Sequence, residues 1–139
     1  MALAVELILT KFKFMNFNDF NWHDAVIKKI TVDRNKPGII DIVNFEIEWP
    51  EGGRVELIFE EAYWAKMTLN FGIVADETIL NAFIGDETDQ DIINFYSKWK
   101  GLMDNIDLNS YLINLNSTGG IIKIIANRFK VIEKQFLSE

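Results

Sequence analysis

Alternating apolar and polar residues form two runs on either side of the turn sequence Pro50-Glu51-Gly52-Gly53. Successive side chains of a β-strand point to opposite faces, so this alternation predicts two half-buried strands, at 39–49 and 54–60. Pro and Gly between the runs favour a tight turn, and the two strands therefore form an antiparallel hairpin. The side chains predicted to face inward are Val43, Phe45, Ile47, Trp49, Val55, Leu57 and Phe59.

The outward face of this hairpin is acidic, with carboxylates at Glu46, Glu48, Glu56 and Glu60. Matching the two apolar faces predicts a register that sets Phe45 opposite Phe59 and Glu48 opposite Glu56. Like charges directly opposed on a sheet are destabilising. The predicted acidic face therefore needs either water or a positively charged partner.

Further strands are predicted at 24–34, 63–71, 111–115 and 121–126, while 77–84 is a strand or a short helix. In the first of these, Val26, Ile30 and Val32 share one face and Lys28 does not fit. The strand at 121–126 is apolar on both faces and is predicted to be central, and 129–136 extends it or forms a final strand. Residues 116–120 are predicted to be a hairpin turn, and 70–77 either a charged loop after a bulge or a segment beside a cleft.

One helix interrupts the strands. Thr88 is predicted to cap it, and the helix spans about 89–103, where Ile92, Phe95, Trp99 and Leu102 recur at helical spacing. The sequence therefore predicts an α+β domain. Its architecture is an antiparallel meander of about six to eight strands with one amphipathic helix packed on one face.

Length and composition limit the function classes. The 139 residues fit one domain, 1–139, and the formal net charge of −7 disfavours nucleic acid as a partner. An acidic protein attracts a basic protein surface or a cation instead. The chain has no cysteine, which excludes disulfides and thiolate chemistry and fits a cytoplasmic location.

The opening Met1-Ala2-Leu3-Ala4-Val5 is apolar, but Glu6 interrupts the run and it is too short to span a bilayer. We expect no membrane association and interpret this segment as a first strand or a short helix. Met15 offers an alternative start, and residues 1–14 would then be an accessory extension.

The only histidine, His23, lies in the stretch Phe20-Asn21-Trp22-His23-Asp24-Ala25. Three interpretations stay open: a hydrogen-bonded corner where a strand begins, a contact to a partner or ligand, and catalysis or metal binding. Neighbours in a strand point to opposite faces, so His23 and Asp24 do not readily hydrogen-bond each other there. No local motif supplies a Ser or Thr nucleophile, yet His23 and Asp24 remain the catalytic candidates, with His23 as a general base.

Other chemistries lack a matching pattern. A zinc site normally uses several His or Cys ligands, and the acidic run 86–91 lacks the inner Gly and the bidentate Glu of a calcium loop. The turn Ser117-Thr118-Gly119-Gly120 has no Lys at Walker spacing and precedes a strand rather than a helix. The sequence therefore predicts neither a metal nor a cofactor.

The tryptophans divide into two groups. Trp49 and Trp99 lie on predicted apolar faces and are expected in the core, whereas Trp64 lies on the other face of its strand. Trp64 is either an exposed anchor for a partner or part of a second cluster under the helix.

The segment Trp22-His23-Asp24-Ala25-Val26-Ile27, which continues as Ile30-Thr31-Val32-Asp33-Arg34, resembles the opening of small uncharacterised bacterial proteins with a β-rich fold. In that family an aromatic-His-Asp-small-x-Ile motif leads into the first strand. Some members are grouped with the immunity proteins of polymorphic toxin systems. The resemblance covers about a dozen residues and marks Trp22, His23 and Asp24 as motif positions.

These observations favour a cytoplasmic protein-binding module over an enzyme. Its specific form is an immunity-type inhibitor of a basic toxin, which Glu46, Glu48, Glu56 and Glu60 would attract and Trp64 would anchor. The first alternative is a small hydrolase or lyase that uses His23 as its base. The second is a homodimeric structural or ligand-binding protein that associates through an exposed sheet edge.

Overall fold

The computed structural model describes residues 15–134, which form one sheet of six strands and one α-helix. A single 3₁₀ turn at Phe17–Asp19 precedes the first strand. The elements that follow are β1 Val26–Val32, β2 Ile42–Glu48, β3 Arg54–Thr68, β4 Ile79–Ile84, α1 Gln90–Lys98, β5 Asn109–Leu115 and β6 Ile121–Lys134. The prediction for residues 1–14 lies outside the described residues.

All strand pairs are antiparallel, and the order across the sheet is β1-β2-β3-β6-β5-β4. The two longest strands, β3 and β6, are central, as predicted for the apolar run 121–126. The predicted α+β class, with an antiparallel sheet and one helix, is confirmed. The predicted meander is wrong at one connection, because β3 lies next to β6 rather than next to β4. The predicted strands 54–60 and 63–71 are one long strand because a bulge, rather than a turn, separates them.

The sheet curls until its two edge strands meet. The backbone N–H of Asp24 donates to the carbonyl of Ile79 at 2.9 Å, and the N–H of Ile79 donates to Ala25 at 2.8 Å. One step further, the N–H of Ile27 donates to the carbonyl of Glu77 at 2.8 Å. The start of β1 is thereby joined to the start of β4, so these parts of the two edges have backbone partners.

The inside of the curled sheet holds the main core. Inward-facing side chains of β2, β3, β5 and β6 meet there with an aromatic group from the 3₁₀ turn and the segment after it. Phe17 is fully buried, and its ring centre lies 4.8 Å from that of Trp22 and 5.0 Å from that of Tyr111. All seven residues predicted to face inward on the first hairpin are buried in this core.

The helix covers the outer face of the sheet over β3 and β6. Ile92 and Phe95 on one face of α1 pack with Leu108 and Ile125, and the flanking side chains include Tyr63 and Trp64. The hydroxyl of Tyr96 ties the helix to the segment that follows it. It donates to the carbonyl of Ile106 at 2.6 Å and accepts from the N–H of Leu108 at 2.9 Å.

The predicted register of the first hairpin is wrong by two residues. Phe45 pairs with Leu57 instead of Phe59, and Glu48 pairs with Arg54 instead of Glu56. A shift of two residues keeps every side chain on its predicted face, so the apolar pattern alone does not distinguish the two registers. In the observed register Glu48 faces Arg54, which is a favourable cross-strand pair, whereas Glu46 faces Glu56. Arg54 also contacts Glu46 and thereby offsets part of that like-charge opposition.

Two local predictions are also wrong. A bulge between Ile27 and Lys29 changes the alternation in β1, so Ile27 is buried while Val32 is exposed. The helix is shorter than predicted. It begins one residue later, because Asp89 rather than Thr88 is its N-cap, and it ends at Lys98 rather than near Met103. The Asp89 carboxylate accepts the N–H of Ile92 at 3.0 Å.

We expect Phe17→Ala to lower the free energy of unfolding by about 3–5 kcal/mol, because it removes a fully buried ring and leaves a cavity. The matched control is Phe71→Ala, which removes the same ring from a site that is 87% exposed and should change stability by less than about 0.5 kcal/mol. Urea denaturation of both variants measures the difference. Equal stability of the two variants would contradict the position assigned to Phe17.

Candidate functional site

His23 and Asp24 form a corner at the entrance to β1. The Nδ1 of His23 lies 3.0 Å from the carbonyl oxygen of Leu80, so this nitrogen carries the proton and donates. The Nε2 lies 3.6 Å from Oδ2 of Asp24, which is an ion-pair distance only when the ring is protonated. Both side chains are exposed, and Asp24 adopts a φ of 67°, in the left-handed region.

Two further hydrogen bonds hold the backbone of the same corner in place. The indole Nε1 of Trp22 donates to the carbonyl of Phe17 at 2.6 Å, and the N–H of Ala25 donates to the carbonyl of Trp22 at 2.9 Å. The three motif residues therefore determine where β1 starts and how it meets β4. This arrangement supports the structural interpretation of the motif. Among residues 15–134, His23 lines neither the groove beside α1 nor the pocket beside Arg128.

The acidic residues predicted to bind a partner lie on the outer face, as expected from the alternation, but most of them are paired within the sheet. Arg54 contacts Glu48 at 3.0 Å and Glu46 at 3.2 Å, and these hydrogen bonds raise the pKa of its guanidinium despite some desolvation. Lys134 lies 3.6 Å from Glu46. The positive partner that the sequence required for this part of the face thus comes from β3 and β6 themselves.

The remaining predicted acids differ in their surroundings. Glu60 lies 3.4 Å from Arg128 and 3.6 Å from Lys130. Glu56 has no ion pair within residues 15–134 and accepts a hydrogen bond from Nδ2 of Asn44 at 3.1 Å. The outer face is therefore one of mixed charge, in which Glu56 keeps its negative charge unpaired.

Trp64 is half-buried beside the helix, in the second cluster. It follows the bulge in β3, where the pairing shifts between Ala62 and Trp64, and it lies opposite Ile125 of β6. Trp99, which was predicted to be core, is 39% exposed because it lies just after α1. Both indoles line one groove, together with Tyr63 and Phe95.

An ion cluster links α1 to β6. Lys123 is largely buried and contacts both Asp89 and Asp91, the latter at 2.7 Å. Burial alone would raise the pKa of Asp89, but the Lys123 ammonium and the N–H of Ile92 together lower it from 3.8. Desolvation of Lys123 is likewise outweighed by its two carboxylates, so its pKa is raised. Gly85 packs against this cluster, and a methyl group there would collide with the hydroxyl of Ser110.

The loop between β3 and β4 presents apolar side chains to solvent. Phe71 is 87% exposed, Ile73 is 49% exposed and Val74 is fully exposed. The ends of this loop are held in place. Nδ2 of Asn70 donates to the carbonyl of Thr118 at 2.9 Å, and the hydroxyl of Thr118 donates to Glu77 at 2.7 Å.

The exposure of this loop was not predicted, because an apolar stretch in a sequence does not reveal whether its side chains are buried. Gly72, with a φ of 88°, was the available signal, since it ends the strand pattern in the middle of that stretch. We call residues Phe71, Ile73 and Val74 the apolar tip.

Within residues 15–134, no group of three or more His, Asp or Glu side chains is arranged to hold a metal ion. No helix in this part of the chain is long and apolar enough to cross a membrane. Comparison with protein-family models, with curated proteins and with solved structures gave no significant match. The resemblance to immunity-type proteins therefore stays a prediction.

Replacing Asp89 with Asn keeps a good N-cap but removes a carboxylate whose pKa is lowered in the folded chain. A lowered native pKa stabilises the fold above pH 3.8, and this contribution is lost as the pH falls through the native value. Between about pH 5 and pH 2, we therefore expect stability to fall less steeply in Asp89→Asn than in the wild type. Urea denaturation across that pH range measures both slopes.

The control for this experiment is Glu87→Gln, which removes one nearby carboxylate that has no ion pair in the described part of the chain. Its pH dependence should follow that of the wild type. Parallel curves for Asp89→Asn and the wild type would show that the ion cluster does not contribute to acid stability.

Proposed function

We propose that this chain is a protein-binding module whose main contact is the apolar tip of the loop 70–77. The observation that supports this proposal is the exposure of Phe71, Ile73 and Val74 next to one another. Single exposed apolar residues are common on protein surfaces, whereas adjacent ones form a patch that is typical of an interaction site.

The attachment of the loop favours recognition. Besides the bonds of Asn70 and Glu77, the hydroxyls of Thr78 and Ser117 are 2.7 Å apart, and the N–H of Asn116 donates to the carbonyl of Thr78 at 2.8 Å. Both ends of the loop are thus fixed to the turn between β5 and β6. A loop that is held in one conformation loses less entropy on binding than a free one.

Burial of the apolar tip would supply part of the binding free energy, and the further contacts named below would supply the remainder. Complete burial of one Phe or Val side chain contributes roughly 1.5–3 kcal/mol. A partner with an apolar cleft that covers Phe71 and Val74 would therefore gain roughly 3–6 kcal/mol before the costs of association.

The net negative charge of the chain favours a partner with a basic surface. The chain carries a net charge of −7, and Asp76, beside the tip, has no partner among residues 15–134. An apolar cleft with a basic rim would match both features. An immunity-type inhibitor of a basic toxin is the specific form of this proposal, with Glu46, Glu48, Glu56, Glu60 and Trp64 as further contacts.

We expect Phe71→Ser combined with Val74→Ser to weaken partner binding by about 100- to 10,000-fold, because the roughly 3–6 kcal/mol from burial of the two anchors is lost. Stability should change by less than about 0.5 kcal/mol, since neither side chain packs in the fold. Affinity capture from the native organism, with the chain as bait, identifies the partner. Titration with the purified partner then gives the affinity of each variant.

The matched control is Val32→Ser, which removes an apolar side chain that is 49% exposed, as Ile73 is, but lies at the end of β1. Binding that is equally strong for the tip variant and this control would exclude the loop as the main contact. Replacing Glu56 with Lys tests the sheet face separately. If the face attracts the partner, the association rate should fall and depend less on salt.

A further inference from the structure

A second surface, distinct from the loop, is a groove between α1 and the bulged part of β3. Its volume is about 360 Å³, within the usual range of binding sites. Four aromatic side chains line it, Tyr63, Trp64, Phe95 and Trp99, together with Asp91, Asn94 and Lys98. We call this surface the aromatic groove.

The aromatic groove is built by two local features of the sequence. In β3, Glu61 adopts a φ of 49° and the pairing jumps from Ala62 to Trp64, so that Tyr63 is the extra residue of a bulge. The bulge breaks the alternation, and two successive aromatic residues therefore contribute to the same surface. On α1, Asp91, Phe95 and Trp99 recur every four residues and lie on one side of the helix.

The side chains of the groove carry several hydrogen-bond donors. The hydroxyl of Tyr63 and the indole N–H groups of Trp64 and Trp99 have no hydrogen-bond partner among residues 15–134. The Oδ1 of Asn94 accepts from Gln90 at 2.8 Å, and its Nδ2 is therefore left to donate to a ligand. A ligand that suits this surface supplies carbonyl oxygens and apolar rings together.

A polyproline II segment has both properties. It forms no internal hydrogen bonds, so its carbonyls face outward, and its proline rings pack on aromatic side chains at low entropic cost. Charge also fits, because both charged groups that line the groove already have partners within the fold: Asp91 pairs with Lys123 at 2.7 Å, and Lys98 lies 5.5 Å above the ring of Trp99. The aromatic groove thus suits a neutral segment better than a cationic or an anionic one.

We propose that the aromatic groove binds a proline-rich segment of a partner protein in the polyproline II conformation. This proposal rests on the proposed protein-binding function and adds a second contact to it. The nine residues of α1 span roughly 13 Å, which is the length of about four polyproline II residues at roughly 3.1 Å each.

A neighbouring pocket indicates which residue would flank the prolines. It shares Tyr63 with the aromatic groove, has a volume of about 470 Å³ and is lined by Asp41, Glu60, Glu61 and Arg128. Glu60 and Glu61 are both paired with Arg128, and Glu60 also with Lys130, so the three carboxylates exceed the nearby cations by one negative charge. An arginine next to the proline run would be attracted to this pocket.

The experiment uses three synthetic peptides of equal length: decaproline, a decaproline in which one terminal residue is replaced by arginine, and a Gly-Ser repeat. Each is titrated into the purified full chain while tryptophan emission and the heat of binding are measured. We expect both proline peptides to bind, the arginine peptide more tightly, and the Gly-Ser peptide not to bind. No saturable binding of either proline peptide would overturn the proposal.

Substitutions in the aromatic groove test whether the proline peptides bind there. Trp64→Phe and Trp99→Phe keep an aromatic ring but remove an indole donor, and each should weaken peptide binding by about three- to tenfold. The control, Phe83→Leu, alters an exposed aromatic of β4 and should leave binding unchanged. Equal affinity in the tryptophan variants and the control would place peptide binding elsewhere and also overturn the proposal.

The loop variant Phe71→Ser with Val74→Ser separates this inference from the proposed function. It should bind the proline peptides as the wild type does, while it loses its affinity for the captured partner. If the partner binds but the proline peptides do not, the groove proposal alone fails. If the peptides bind and the loop variant keeps full affinity for the partner, the loop proposal alone fails.

Discussion

Backbone hydrogen bonds between the two edges of the sheet are the constraint on which the remainder of the structure depends. β1 and β4 are the most distant strands in the sheet order, yet Asp24, Ala25 and Ile27 bond to residues 77–79. The bonds hold the sheet in a curl, and the curl encloses the main core. They also supply partners for polar groups that an open sheet edge would leave to water or to another chain.

The motif around His23 acts at this closure. Its imidazole donates to the carbonyl of Leu80 in β4. The backbone N–H of Ile84, in the same strand, donates to Oδ1 of Asn18 at 2.8 Å. The segment from the 3₁₀ turn to Asp24 thus runs along the edge of β4 and supplies hydrogen bonds there. A dimer formed through this part of the edge would have to displace these bonds.

The sequence predicted which faces of the hairpin are buried, because the alternation of side chains depends only on strand geometry. It did not predict the register, since the alternatives differ by two residues and bury the same side chains, and the pairing of Arg54 with Glu48 supplies the missing information. The bulge at Lys28 is visible in the sequence only as a residue that does not fit the alternation, and the bulge at Tyr63 leaves no such sign. Each bulge depends on contacts with a neighbouring strand. The exposure of Phe71 and the burial of Lys123 follow from tertiary structure in the same way.

The two proposed contact surfaces arise where the sheet departs from regular geometry. Along the regular part of β2, β3 and β6 most of the outward charges satisfy one another, and Arg54 takes two carboxylates at once. Such a surface gains little from a new partner, because every new ion pair must replace an existing one. The loop beyond Gly72 and the bulge at Tyr63 instead leave apolar atoms and hydrogen-bond donors without partners among the described residues. Recognition by these irregular segments leaves the charge pairs of the sheet intact, so binding need not be traded against stability of the fold.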